Sequence, residues 1–308
     1  MSVWPPSWKL LVLLVTVLVA AALATGQGPF SLRVLRIYPK RLGSTLAGWA
    51  ARQPLPKALR PALIGGFAAQ VGVNLAEAEY PIADYPSLQA FFTRRLKPGL
   101  RPQEEPAPGS VNSPVDARIV ACGRILEGCA IQAKGLPYRI TELLKHDPDA
   151  RRFEGGHYLT LYLSPRDYHR IHVPVEGRVM AVGRVEGELW PVNDASIAHT
   201  TRLYERNRRA TWLATGSGPA EGLEVAAVLV GATHVGGVVI DSRWREGRPL
   251  PPDGALAVPN LPCRPGDDLG TFEFGSTVVL LIGGPRAAAW HPLHETGPVR
   301  VGQRLGSF

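Results

Sequence analysis

The sequence predicts an α+β chain, in which a helical, membrane-associating N-terminal region precedes an antiparallel β-rich domain. Three observations carry that reading. An uncharged apolar run, Leu10 to Thr25, stands near the start of the chain. Apolar residues then recur every four positions at Leu59, Leu63, Phe67 and Val71, the repeat of one helical face. From Val111 onward, short β-branched runs alternate with Gly and Pro, as strands alternate with turns. With 33 Gly and 29 Pro among 308 residues and only 19% charged, long bundles and coiled coils are excluded, while the length allows a sizeable core.

The first apolar run has 16 residues and at ~1.5 Å per residue reaches ~24 Å as a helix, slightly short of a ~30 Å hydrocarbon layer. Ala22-Leu23-Ala24 also has the small-x-small pattern of a processed secretory signal. Only Lys9 precedes the run, whereas Arg33, Arg36, Lys40 and Arg41 follow it, and positive flanks stay in the cytoplasm. The expectation is therefore a retained anchor in the cell (inner) membrane with the following domain on the cytoplasmic side. Residues 1–28 form the anchor or signal-like segment, 29–105 a helical lipid-facing region, and 106–308 the β-rich domain.

Within the helical region, the Leu59–Val71 stripe reads as core, or as a lipid contact because an anchor precedes it. Ser87 is placed to cap a short helix carrying Leu88, Phe91 and Phe92. Pro102, Pro106, Pro108 and Gly109 then break the chain. Strands are expected at 118–122, 158–163, 177–182, 224–230, 235–240 and 276–282, with an irregular tail after Gly283. The net charge of +8 suits an anionic lipid surface as readily as nucleic acid. Only six of the 34 basic residues are Lys, so most are Arg, whose planar fork grips phosphate or carboxylate. The sequence holds no P-loop or dinucleotide fingerprint. Cys122, Cys129 and Cys263 lack a metal-ligand spacing.

Three islands carry chemistry-bearing residues. In Asn112-Ser113-Pro114-Val115-Asp116 the acid stands at the mouth of a strand, where by itself it reads as a turn or capping group. The stretch from Tyr162 to Pro174 packs Arg166, Asp167, Tyr168, His169, Arg170 and His172 between two prolines. His169 and His172 would share a helical face fit for a metal, but no further ligand stands at a matching spacing, so no metal is expected. Structural histidines remain an open alternative. Gly270 to Thr277 reads on spacing alone as a hairpin running into Val278-Val279-Leu280-Leu281-Ile282.

Taken together, these islands resemble the phosphatidylserine decarboxylases of the bacterial and mitochondrial type. The family's Ser-Pro-Val-Asp-Gly is similar to Ser113-Pro114-Val115-Asp116-Ala117, and its Lys-Gly-x-Pro-Tyr to Lys134-Gly135-Leu136-Pro137-Tyr138. Its Leu-Ser-Pro-x-Asp-Tyr-His-Arg-x-His-x-Pro is complete from Leu163 to Pro174. Phe91 to Gly99 and Val230 to Gly236 also match, so the likeness runs roughly from Tyr38 to Ile282. Departures are Phe274 for Leu before Gly275-Ser276-Thr277, Ala117 for Gly, and Arg208 where Glu is common.

The resemblance implies a proenzyme that cuts itself between Gly275 and Ser276, leaving a covalent pyruvoyl group on the former Ser276 and two fragments that form a heterodimer. It implies decarboxylation of phosphatidylserine in the bilayer to phosphatidylethanolamine through a Schiff base to that group. His172 would be the base that activates Ser276, Asp116 its orienting acid, and Thr277 a donor to the oxyanion. His169 would position the carboxylate or return the proton, and Lys134, Arg166 and Arg170 would meet the lipid phosphate. A nucleic-acid partner is not expected. The same Asp, His and Ser also fit a serine hydrolase, although no Gly-x-Ser-x-Gly surrounds Ser276, and the β domain alone fits a non-catalytic scaffold.

Overall fold

The computed structural model describes residues 40–308 except 133–134, 193, 233–236 and 274–275. The Leu10 to Thr25 run, Lys134, the Thr233–Gly236 part of one motif and Gly275 lie outside the described residues. Among the described residues no helix is long and apolar enough to cross a membrane.

The front of the described chain is helical, with α1 (Lys40–Arg52), α2 (Arg60–Val71) and α3 (Leu88–Phe92). Pro61 stands in the first turn of α2, where its missing N–H costs nothing. Gly72 closes that helix at φ 81°, in the left-handed region that favours glycine. Ser87 caps α3 as expected, its Oγ accepting the Ala90 N–H at 3.1 Å. Leu55, Ile64, Ala68, Tyr85 and Phe91 form a small core between these helices. The expected core stripe of α2 is rotated: Ile64 and Ala68 are buried, whereas Leu59 and Leu63 are exposed. Nearly every position of Arg60–Val71 is apolar or small, so periodicity alone selects no unique face.

The second region begins with β1 (Val111–Asn112), β2 (Ala117–Arg124), β3 (Cys129–Ile131), β4 (Pro137–Arg139), β5 (His157–Leu163), β6 (Arg170–His172) and β7 (Gly177–Val185). It continues with β8 (Arg209–Gly216), β9 (Glu224–Val230), β10 (Val238–Ile240), β11 (Gly254–Cys263) and β12 (Asp268–Phe272). The last strands are β13 (Ser276–Gly283), β14 (His291–Pro292), β15 (Gly297–Val299) and β16 (Arg304–Ser307). Eight of them form one antiparallel sheet in the order β11-β7-β8-β9-β13-β5-β2-β15. A three-stranded sheet, β10-β12-β6, carries the segment that leads into β13. Short helices α4 (Ile140–Leu143), α5 (Asp194–His199) and α6 (Leu203–Arg206) complete the domain.

β13 is paired on both edges and buried on both faces. Val278, Leu280 and Ile282 join a core with Trp212, Trp244 and Trp290, while Val279 and Leu281 join a second core with Tyr138, Phe153 and Tyr204. That is why the strand reads as an unbroken apolar run rather than an alternating one. The tail expected to be irregular is instead ordered. β15 closes an edge of the large sheet against β2, and β16 lies between β1 and β14. Trp290 is fully buried, its Nε1–H donating to the Gly109 carbonyl at 2.9 Å.

Candidate active site

The turn after β5 brings the histidine motif to the start of β13. Pro165 follows Ser164, whose N–H donates to Asp167 Oδ2 at 2.7 Å while the Asp167 N–H returns to the Ser164 carbonyl at 2.9 Å. Asp167 therefore closes the turn, and burial pushes its carboxyl up. The next residues are tied to the chain that leads into Ser276. The His169 carbonyl accepts the Phe272 N–H at 3.0 Å, and β6 pairs Ile171 with Gly270 and His172 with Asp268. Ser276 lies opposite Leu163 of β5, and Thr277 lies opposite Val230 of β9.

His169 is fully buried against the Phe92 ring, centroids 4.0 Å apart. Its Nδ1 is 2.9 Å from the Asp167 carbonyl, so Nδ1–H donates there and Nε2 carries the lone pair. Nε2 has no hydrogen-bond partner among the described residues, and neither does the buried Thr277 hydroxyl. Burial pushes the His169 imidazole down to about 3, and the Arg94 cation adds to that depression against the opposing Asp167 carbonyl. The neutral ring presents a bare acceptor inside the protein.

His172 has the same tautomer by a different route. Nδ1 lies 2.9 Å from the Gly266 carbonyl and 3.7 Å from Asp268 Oδ1. Nε2 accepts the Tyr168 hydroxyl at 3.2 Å, with the two rings stacked 5.6 Å apart. Burial lowers the His172 imidazole; the Gly266 carbonyl and Asp268 oppose that shift. The ring is neutral, but its Nε2 lone pair already accepts the Tyr168 hydroxyl, so it can act as a general base only when that bond opens. Tyr168 itself is pushed up to about 12, chiefly by burial, so its hydroxyl keeps its proton.

Asp116 stands in the same neighbourhood but is held by other partners. The Pro114 carbonyl accepts the His172 N–H at 2.8 Å, which anchors the Asp116 loop beside β6. The carboxylate, however, accepts from Arg101 Nε at 2.9 Å and Nη2 at 2.6 Å and from the Val301 N–H at 2.9 Å. Arg101 also reaches Glu77 at 2.7 Å. The orienting contact that sequence reasoning gave to Asp116 is made by the Gly266 carbonyl. Asp116 acts on His172 through its field, which favours the protonated ring.

The three expected phosphate ligands divide. Arg166 is exposed and stands 3.8 Å from Asp167. Arg170 is occupied by the Thr93 carbonyl at 3.2 Å and Asp268 at 3.6 Å. Lys134 lies outside the described residues. Sequence reasoning assigned no role to Tyr168, Arg101, Gly266 or Asp268. Tyr168 lies inside the motif and was open to discovery there, but the others are recruited from separate loops and leave no local signal. Arg208, the departure from the usual Glu, pairs with Glu186 at 2.8 Å.

A half-buried neutral histidine, a second, fully buried histidine with a bare acceptor, and Ser276 at the start of a strand paired on both edges define an enzyme-like centre on an antiparallel scaffold. The chain belongs to the phosphatidylserine decarboxylase family, whose model matches residues 88–307. A relative from Myxococcus xanthus (strain DK1622), named phosphatidylserine decarboxylase proenzyme, is 37% identical over 277 residues, 89% of this chain and 97% of the relative. Relatives with the same name from Coxiella burnetii (strain RSA 331 / Henzerling II) and Anaeromyxobacter sp. (strain K) are 38% and 40% identical, over 87% and 88% of this chain and 95% and 96% of theirs.

Proposed function

We propose that the protein decarboxylates phosphatidylserine to phosphatidylethanolamine with a pyruvoyl group made from its own Ser276. The observation that supports this most is the convergence of the Asp116, His169 and His172 motifs on the strands that feed Ser276, in a family whose relatives are named proenzymes. His172 Nε2 takes the hydroxyl proton as Ser276 Oγ adds to the Gly275 carbonyl carbon, and the peptide C–N bond breaks to leave an ester. Loss of the Ser276 Cα proton expels the Gly275 carboxylate from Cβ. Uptake of water and release of ammonia then complete a redox-neutral conversion to the pyruvoyl terminus.

The residues present fit such a group, which needs hydrogen-bond donors to neutral carbonyl oxygens rather than a counter-charge. The Thr277 hydroxyl, adjacent to the site and unpartnered among the described residues, is such a donor. Once formed, the group supplies a ketone that reacts with the substrate amine and accepts the electron pair released with carbon dioxide. His169, whose bare Nε2 can take up a proton at the site, would position the carboxylate or pass that proton on to the carbon that lost carbon dioxide. The buried Phe92 beside it excludes water. Arg166 is the exposed cation available to the lipid phosphate, and Lys134 and Arg170 are the further candidates for it.

The enzyme works at the cytoplasmic face of the cell membrane, with residues 1–28 as anchor, 29–105 as lipid-facing region and 106–308 as the pyruvoyl domain. Support comes from Leu46, Trp49, Leu59 and Leu63, exposed on or beside α1 and α2 near Lys57, an arrangement suited to an anionic lipid interface. Intact-mass measurement tests the reading. Wild type should give two chains meeting at 275/276, the second with a ketone-bearing blocked terminus, and Ser276→Ala should stay whole. An active uninterrupted chain whose Ser276 reacts with a fluorophosphonate would replace it with a serine hydrolase.

A further inference from the structure

Glu273, two residues ahead of Gly275, is gripped by the helical front. Its carboxylate accepts the Gln89 side-chain N–H of α3 at 2.7 Å on Oε1 and pairs with the Arg52 guanidinium at the end of α1 on Oε2. The Glu273 N–H donates to the Gly237 carbonyl at 3.0 Å. A Cβ at position 237 would stand 2.8 Å from Glu273 Oε2, the end of that side chain, so the two segments lie close together there. Three stretches far apart in sequence thus meet on one residue shortly before the bond proposed to break.

We infer that Glu273 is a positioning residue for self-cleavage: through Arg52 and Gln89, the docked helical front holds the chain at the residue that follows β12, just ahead of the bond proposed to break. This rests on the self-cleavage reading above and adds that the front helices take part in maturation. The physical ground is restriction. A hydroxyl adds to a neighbouring carbonyl only in a narrow range of geometry, and β13 restrains the chain on the Ser276 side alone. On the other side, β12 ends at Phe272, and Glu273 is the following residue, tethered to elements outside the sheet. Arg52 is about half exposed, so the ion pair by itself is modest, and the Gln89 bond and the buried carboxylate add to it.

The test is the rate at which the newly made full-length chain splits, read by gel or intact mass over time. Glu273→Gln should slow splitting about three- to tenfold, and Arg52→Glu should slow it by at least as much, as expected for a partly exposed, hydrogen-bonded pair. Exchanging the charges in Arg52→Glu/Glu273→Arg should restore most of the rate, which a change in folding alone would not do. Unfolding of the same variants in the uncleavable Ser276→Ala chain reports folding separately. A Glu273→Gln chain that splits at the wild-type rate, or a charge exchange no faster than Arg52→Glu, would overturn the inference. Failure of the wild-type chain to split at all would instead overturn the reading beneath it.

Discussion

Replacing Arg101 by Met removes the cation that holds Asp116 while keeping most of the apolar stem. Arg101 and Asp116 have side chains only 11% and 12% exposed, and Glu77, the second partner, is 23% exposed. Without Arg101, Asp116 keeps the Val301 N–H at 2.9 Å but has lost its counter-ion. Breaking a buried pair from one side costs about 3–5 kcal/mol. The surviving backbone bond and the partial exposure of Glu77 place the expected loss near the lower end, about 3 kcal/mol. At about 2–4 °C per kcal/mol for a domain of this size, the melting temperature should fall by about 6–12 °C. Urea unfolding followed by tryptophan fluorescence in the uncleaved Ser276→Ala chain measures this directly. Arg101→Met/Asp116→Asn should recover part of the loss, because it leaves no bare carboxylate at position 116. A loss below about 1 kcal/mol, the size of a surface pair, would show that Arg101 does not neutralise Asp116 and would refute the reasoning.

Loss of the His172 base in His172→Ala should slow self-cleavage by about 10²- to 10⁴-fold, read as persistence of the intact chain. Because burial lowers the His172 imidazole, the wild-type splitting rate should stay level as pH falls through 6.5; an inflection at or above 6.5 contradicts this. His169 at about 3 in the folded protein, against 6.5 unfolded, makes the unfolded chain take up the proton first. Its contribution is therefore complete above pH 6.5 and falls by about 2 kcal/mol between pH 6.5 and 5. His157, pushed down to about 4, adds in the same direction, so the check is a shallower acid slope for His169→Gln than for wild type. Buried Asn207 bonds both backbone groups of Trp190 and the Gly231 carbonyl at 2.8–2.9 Å, and Asn207→Ala should cost about 2–3 kcal/mol in the same unfolding assay.

What the sequence made legible follows from where its patterns are local. β9 and β13 could be read almost to the residue because Glu224–Val230 and Ser276–Gly283 are continuous apolar runs bounded by turn residues. The α3 cap was legible because Ser87 acts on its own next turn. The buried face of α2 was not, since Leu63 and Ile64 are equally apolar and only docking against Tyr85 and Phe91 decides between them. β14, β15 and β16 are two to four residues long and take their form from partner strands rather than from propensity. At the site, the histidines were legible as a motif. The partners of Asp116 and His172 were not, because Arg101, Gly266 and Val301 come from other loops. A tertiary contact of that kind has no period and no fixed spacing.

The place of the proposed cleavage bond within the sheet bears on what scission does to the protein. Ser276 opens β13, which is bonded to β5 from Ser276 to Ile282 and to β9 from Thr277 to Gly283. Cutting before Ser276 therefore removes none of the ladder bonds on either edge. The five residues Val278 to Ile282 are fully buried on both faces, and the same fragment supplies the buried Trp290 and Leu305. Fully burying one such side chain is worth about 1.5–3 kcal/mol, so the fragment 276–308 stays seated although no covalent bond retains it. A bond at the edge of the sheet would release a strand end that frays. A terminus made there would begin a strand that is paired from its first residue, and the sheet would keep its register.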